Sequence, residues 1–169
     1  MMRLLAQFWR LCLLRANPQD LPASVTLELL ALAAYVGVGT LDAHVQLALW
    51  NAFLAASVDA FVLVALTHIA LWIRDVPGRA VQTITALAGA GAVLGLIAFP
   101  ILGALHADEG ALVVLQGLLW LLFVSWQILV YGHILRHALD VPLLAGVMVS
   151  LVYFYISFKV MNALFLQTG

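Results

Sequence analysis

Three charged residues interrupt otherwise apolar stretches, and they are the side chains best placed to do chemistry. Asp59 lies near the middle of one stretch, Lys159 in the last third of another, and Glu28 near the start of a third. A charged side chain at the centre of a membrane costs roughly 2.5–3.5 kcal/mol on insertion scales, so each needs a partner or a task. At 1.5 Å per helical residue, Asp59 is about 18 Å from the end of its stretch at Leu47, and Lys159 about 12 Å from Gln167. That offset of about 6 Å is within reach of a lysine side chain. Asn51 and Asn162 share a level, and Tyr155, Lys159 and Asn162 fall on one helical face. The spacing predicts a polar cluster of Asp59, Lys159, Asn51, Asn162 and Tyr155. It would be either an ion pair with amides that sets helix register, or a proton- or substrate-handling site. Lys159 snorkelling outward would instead leave Asp59 without a cation.

A second polar layer gathers Glu28, Thr67, His68, Gln127 and His133 toward the opposite side. Two histidines from facing helices, His68 and His133, could ligate a b-type haem. His133 and His137, four residues apart, could share a metal. No His-Glu-x-x-His motif, cysteine pair or aspartate-rich cluster accompanies them. The simpler reading is interfacial histidines beside Arg136, with no metal and no cofactor. Ser57, Ser125, Ser150 and Ser157 sit in apolar stretches without a catalytic motif, which argues against an enzyme.

The elements that must position these groups follow from composition. Hydrophobic residues make up 66% of the 169, and charged residues 9%, against about 25% in a soluble domain. A water-soluble globule and a disordered chain are both excluded. A net charge of −1 with no basic stripe excludes a nucleic-acid binder. The single cysteine, Cys12, excludes an intramolecular disulfide. Five continuously apolar stretches remain: Val25 to Leu41, Leu47 to Ile73, Thr83 to Leu105, Ala111 to Leu135 and Val141 to Gln167. Each is long enough, or nearly so, for the about 20 residues a spanning helix requires. The connections are short, with a Pro-Gly turn at Pro77-Gly78 and Asp140 placed to cap the last helix. The expected fold is an all-α integral membrane bundle of five transmembrane helices, antiparallel in sequence. Residues 1–22 form an amphipathic segment and 23–169 the transmembrane domain.

Arg3, Arg10 and Arg15 precede the first span, Arg74 and Arg79 lie in the second loop, and Arg136 in the fourth. Asp42, Asp108 and Glu109 lie in the first and third loops, which hold no Lys or Arg. The positive-inside rule then predicts a cytoplasmic N-terminus and an exterior C-terminus. Trp9, Trp50 and Trp72 fall at predicted interfaces. Arg3, Gln7 and Arg10 share one side of a helix, with Leu4, Leu5, Phe8, Leu11 and Cys12 elsewhere, which predicts an interfacial helix. Its arginines would meet anionic lipid or a partner. The Arg-, Ala- and Leu-rich usage points to a bacterial inner membrane. In the third span, Gly91 and Gly95, and Ala88 and Ala92, form small-xxx-small pairs. They would serve either a homo-oligomer or, more simply, packing within the bundle. Pro100 predicts a kink.

The opening Arg10-Leu11-Cys12-Leu13-Leu14-Arg15 before Pro18, the stretch Gly132-His133-Ile134-Leu135-Arg136-His137-Ala138-Leu139 and the aromatic Tyr153-Phe154-Tyr155 resemble bacterial members of the Yip1 family. The five-span topology is also similar, while the Asp-Leu-Tyr-Gly-Pro motif of eukaryotic relatives is absent. The resemblance implies a non-enzymatic role in membrane organisation, through the lipid bilayer and other membrane proteins. The competing expectation is a small proton-coupled transporter or channel subunit using Asp59 and Lys159.

Overall fold

The computed structural model of the chain describes residues 2–104 and 111–166, with side chains for 4–99 and 114–165. Arg3, Pro100, Asp108 and Glu109 therefore carry expectations whose side chains lie outside the described residues. Six helices follow in order: α1 (Met2–Cys12), α2 (Val25–His44), α3 (Leu49–Ile73), α4 (Ala80–Ala104), α5 (Ala111–Leu139) and α6 (Leu143–Met161). A π-helical turn, Asn162–Leu166, extends α6. No strand occurs among the described residues. Helices α2 to α6 are long and apolar enough to cross a membrane. Several boundaries move by two to four residues relative to expectation, and two of these shifts matter most. α5 runs on to Leu139, and α2 continues past Leu41 to His44. The second shift takes Asp42 out of the expected loop and onto a helix face.

Helix α4 is the centre of the bundle. Thr83 to Ala92 are buried without interruption, which requires neighbours on every side. α1, α2, α3 and α5 supply them, and the small residues of α4 let them approach. A Cβ at Gly91 would lie 2.5 Å from the Tyr131 hydroxyl and 2.5 Å from the Tyr35 ring. One at Gly95 would lie 2.6 Å from Val38 Cγ1. The Gly91–Gly95 stripe is therefore filled by α2 and α5 of the same chain, the packing alternative rather than a face left for another copy.

The N-terminal helix is amphipathic, but it does not simply rest on the surface. Phe8, Leu11 and Cys12 are buried, while Arg10 and Arg15 are exposed. The Phe8 ring fills space that exists because residue 89 is glycine, since a Cβ there would be 2.2 Å from it. Trp126 Nε1 donates to the Cys12 carbonyl at 2.9 Å, and the Cys12 thiol faces the Ala90 carbonyl at 3.8 Å. Ala90 is ten residues into α4, about 15 Å along its axis. Thus α1 docks into the bundle against α4 and α5. Burial pushes the Cys12 thiol up from 9.0 to about 11. A neutral, shielded thiol is a poor nucleophile. The folded protein should resist maleimide at pH 8 and react fully once denatured in SDS. Equal labelling in both states would show α1 undocked. By the same shift, ionisation in the unfolded chain erodes stability as pH rises from about 9 toward 11.

The α5 C-terminus shows how one end of the bundle is closed. Its last four carbonyls need donors from outside the helix, and all four have them. Val141 N–H donates to Arg136 O, Gln19 and Arg79 to His137 O, Arg79 to Ala138 O, and Arg74 to Leu139 O. The arginines also oppose the negative end of the helix dipole. Asp140 adopts a left-handed conformation, φ 54°, that terminates α5. The expected cap on the next helix is not its role. Pro142 stands at that N-cap with no side-chain bond.

Candidate functional site

On α2, Tyr35, Val38, Gly39 and Asp42 recur at intervals of three, four and seven, and so share one face. That face looks across to Ala56 and Asp59 of α3 and to Gly91, Gly95 and Ala98 of α4, while Trp120, Phe123 and Gln127 of α5 close the remaining side. Together they line a cavity of about 220 Å³. Glycine and alanine at five of these positions leave the space. The cavity runs from Asp59 to Asp42, which is seven residues along α2 from Tyr35, or about 10 Å. Asp42 is two residues from the α2 C-terminus, so the cavity leads toward the end of the bundle opposite α1. A cavity of this size, mostly apolar but with a carboxylate at each end, has room for several waters, each taking about 30 Å³.

Asp59 is held by hydroxyls. Tyr35 Oη donates to its Oδ2 and Ser157 Oγ to its Oδ1. Tyr131 and Tyr153 are buried beside this group, their ring centroids 5.7 Å apart. Their hydroxyls, and Oδ1 of Asp42, are buried without a hydrogen-bond partner among the described residues. Each such group is destabilising by about 1–3 kcal/mol unless water or a ligand satisfies it. The Tyr131 and Tyr153 hydroxyls lie beside Asp59, and Asp42 Oδ1 lies at the other end of the cavity.

The expected partner of Asp59 is elsewhere. Lys159 is exposed, and its Nζ lies 5.8 Å from the Tyr155 ring centroid, a cation–π contact. Tyr155 is itself 63% exposed. The reason is angular. Residues two apart on a helix point about 200° apart, so Ser157 facing Asp59 turns Tyr155 and Lys159 to the opposite side. The inward face of α6 is Gly146, Ser150 and Tyr153, continued by Ser157. Asn51 is exposed near the start of α3, and Asn162 begins the π-helical turn. The five-residue cluster thus resolves into Asp59 with hydroxyls inside and Lys159 with Tyr155 outside.

The second layer also divides. Gln127 belongs to the acidic cavity rather than to the histidines. Glu28 and His68 are close enough to interact electrostatically. Thr67 Oγ1 and His68 Nδ1 bond to carbonyls of their own helix, at Leu63 and Val64. His133 Nε2 meets the Ala16 carbonyl at 3.0 Å and its ring stacks edge-on against His137 at 4.7 Å. His133 therefore ties the segment after α1 to α5. Among the described residues, no three His, Cys, Asp or Glu side chains converge as a metal-ligand set.

Tyr35, Asp42, Ser157, Tyr131 and Tyr153 are the site residues that charge-based reasoning overlooks. The signal was present as the polar and small face of α2. It was masked because Asp42 reads as a loop residue and tyrosine as aromatic bulk. No family model, curated protein or solved structure matches this chain.

Proposed function

We propose that this chain is a multi-pass protein of a bacterial inner membrane that handles protons through Asp59 and Asp42. The observation that carries the reading is a carboxylate deep in an apolar bundle, bonded to two hydroxyls rather than a cation, at the inner end of a cavity that holds a second acid. An intramembrane acid with a permanent counter-ion is suited to packing. One bonded only to hydroxyls can take up and release a proton. Arg10 and Arg15, with Arg74, Arg79 and Arg136, lie at the α1 end, which supports a cytoplasmic N-terminus. The cavity then faces the exterior. The test is proton flux into liposomes under an imposed potential. Wild type should exceed empty liposomes, and Asp59→Asn should not.

A second reading keeps the chain as a non-enzymatic component of membrane organisation, as the Yip1-like topology and its three sequence segments suggest. Exposed Arg10 and Arg15 on α1 favour it, since they are available to anionic lipid or a partner. The two readings separate on one result: wild-type liposomes that carry no flux leave the organisational role.

A further inference from the structure

A second cavity, about 320 Å³, lies on the other side of the Asp59 layer, between α3, α5 and α6. Its walls are almost wholly apolar, from Leu63 of α3 to Leu139 of α5. It opens sideways, because Ile69, Ile73 and Val152 of its lining are 52%, 71% and 55% exposed. Along α3 it extends from Leu63 to Arg74, eleven residues or about 16 Å. That depth is close to half of the about 30 Å hydrocarbon thickness of a bilayer, one leaflet. Tyr131 and Tyr153 floor it near mid-membrane, and Arg74 stands at its mouth.

We propose that this groove holds one acyl chain of an anionic phospholipid, with the phosphate against Arg74. An apolar slot of one-leaflet depth, open to the bilayer at its side and cationic at the headgroup level, fits such a molecule by shape and charge together. Arg74 engages the Leu139 carbonyl through Nε, which orients the guanidinium at the rim. Asp75 and Asp140 share this end of the bundle, so the attraction is local to the arginine rather than a general basic field. The proposal is independent of proton handling at Asp59.

The experiment titrates purified full-length protein with phosphatidylglycerol or phosphatidylcholine of matched chains and counts retained lipid by native mass spectrometry. Wild type should retain one phosphatidylglycerol, with a preference of about fivefold over phosphatidylcholine. Arg74→Gln should bring that preference near one while still retaining lipid. Val149→Trp, which fills the groove, should lose both lipids. If that variant does not fold, Val152→Trp on the exposed rim carries the same test. Equal preference in wild type and Arg74→Gln would overturn the headgroup assignment. Undiminished lipid in a folded tryptophan variant would overturn the groove. A folded tryptophan variant that keeps its lipid but loses self-association would mean that a helix of a second copy occupies the groove.

Discussion

Replacing Gly146 with alanine should destabilise the bundle more than the same change at Gly91, Gly37 or Gly117. A Cβ there would lie 2.3 Å from the Gly132 carbonyl oxygen and 2.9 Å from both Cβ and N of Arg136. Reciprocally, a Cβ at Gly132 would be 2.9 Å from Val147 Cα and 3.0 Å from its N. Most of these neighbours are backbone atoms, so no rotamer change relieves the clash, and α5 and α6 must separate. Overpacking typically costs about 1–3 kcal/mol, and a backbone-against-backbone clash belongs at the upper end. Gly91→Ala should be milder, because the Tyr35 ring and Tyr131 hydroxyl it meets are the far ends of side chains. Gly37→Ala and Gly117→Ala meet nothing within 4 Å and should stabilise slightly through helix propensity. Thermal unfolding in detergent, followed by size-exclusion chromatography, checks the order. Gly146→Ala melting with wild type would mean that α5 and α6 do not cross where described.

Asp59→Asn should abolish proton flux while leaving the fold intact, a loss of about a hundredfold or more if Asp59 is the transferring group. Asparagine keeps the shape of the side chain. Its carbonyl can accept one hydroxyl, and its amide can donate to the lone pair of the other, so Tyr35 and Ser157 remain partnered. What disappears is the ability to bind and release a proton. Ser157→Ala and Tyr35→Phe each remove one donor and should lower flux less than Asp59→Asn does. Lys159→Met should change neither flux nor yield greatly, because Lys159 touches the Tyr155 ring on the outside of α6. Comparable losses from Lys159→Met and Asp59→Asn would restore the ion pair and remove the proton-handling reading.

The spans were legible because a helix that crosses a membrane must be apolar along its length. The five stretches match α2 to α6 to within a few residues at most ends. The site was legible only in its anchor. Asp59 announces itself as a charge among apolar neighbours. Which groups surround it depends on helix rotation, and two cues misled. Lys159 looks like the natural counter-ion, yet a long lysine stem can carry its charge outward, while Ser157 two residues earlier does the inward bonding. Asp42 beside Ala43 and His44 looks like a turn, yet α2 holds its helical path three residues past Leu41. The docking of α1 had a readable trace in Phe8 and Gly89, but nothing in spacing alone pairs residues 81 positions apart. Likewise Gln127 and His133 sit on one helix, and only the packed bundle sends one to the acidic cavity and the other to the Ala16 carbonyl.

Water from the side opposite α1 should reach the Asp42–Asp59 cavity. Ala98, which lines the cavity while only 3% exposed, is the place to ask. In a Cys12→Ala background, Ala98→Cys in right-side-out vesicles should be modified by a charged, membrane-impermeant thiol reagent added outside. Ala88→Cys, buried in the same helix, should stay unmodified. If the Ala98→Cys variant reacted only after detergent was added, or no faster than Ala88→Cys, the interior would be sealed and Asp59 could exchange no protons with that side.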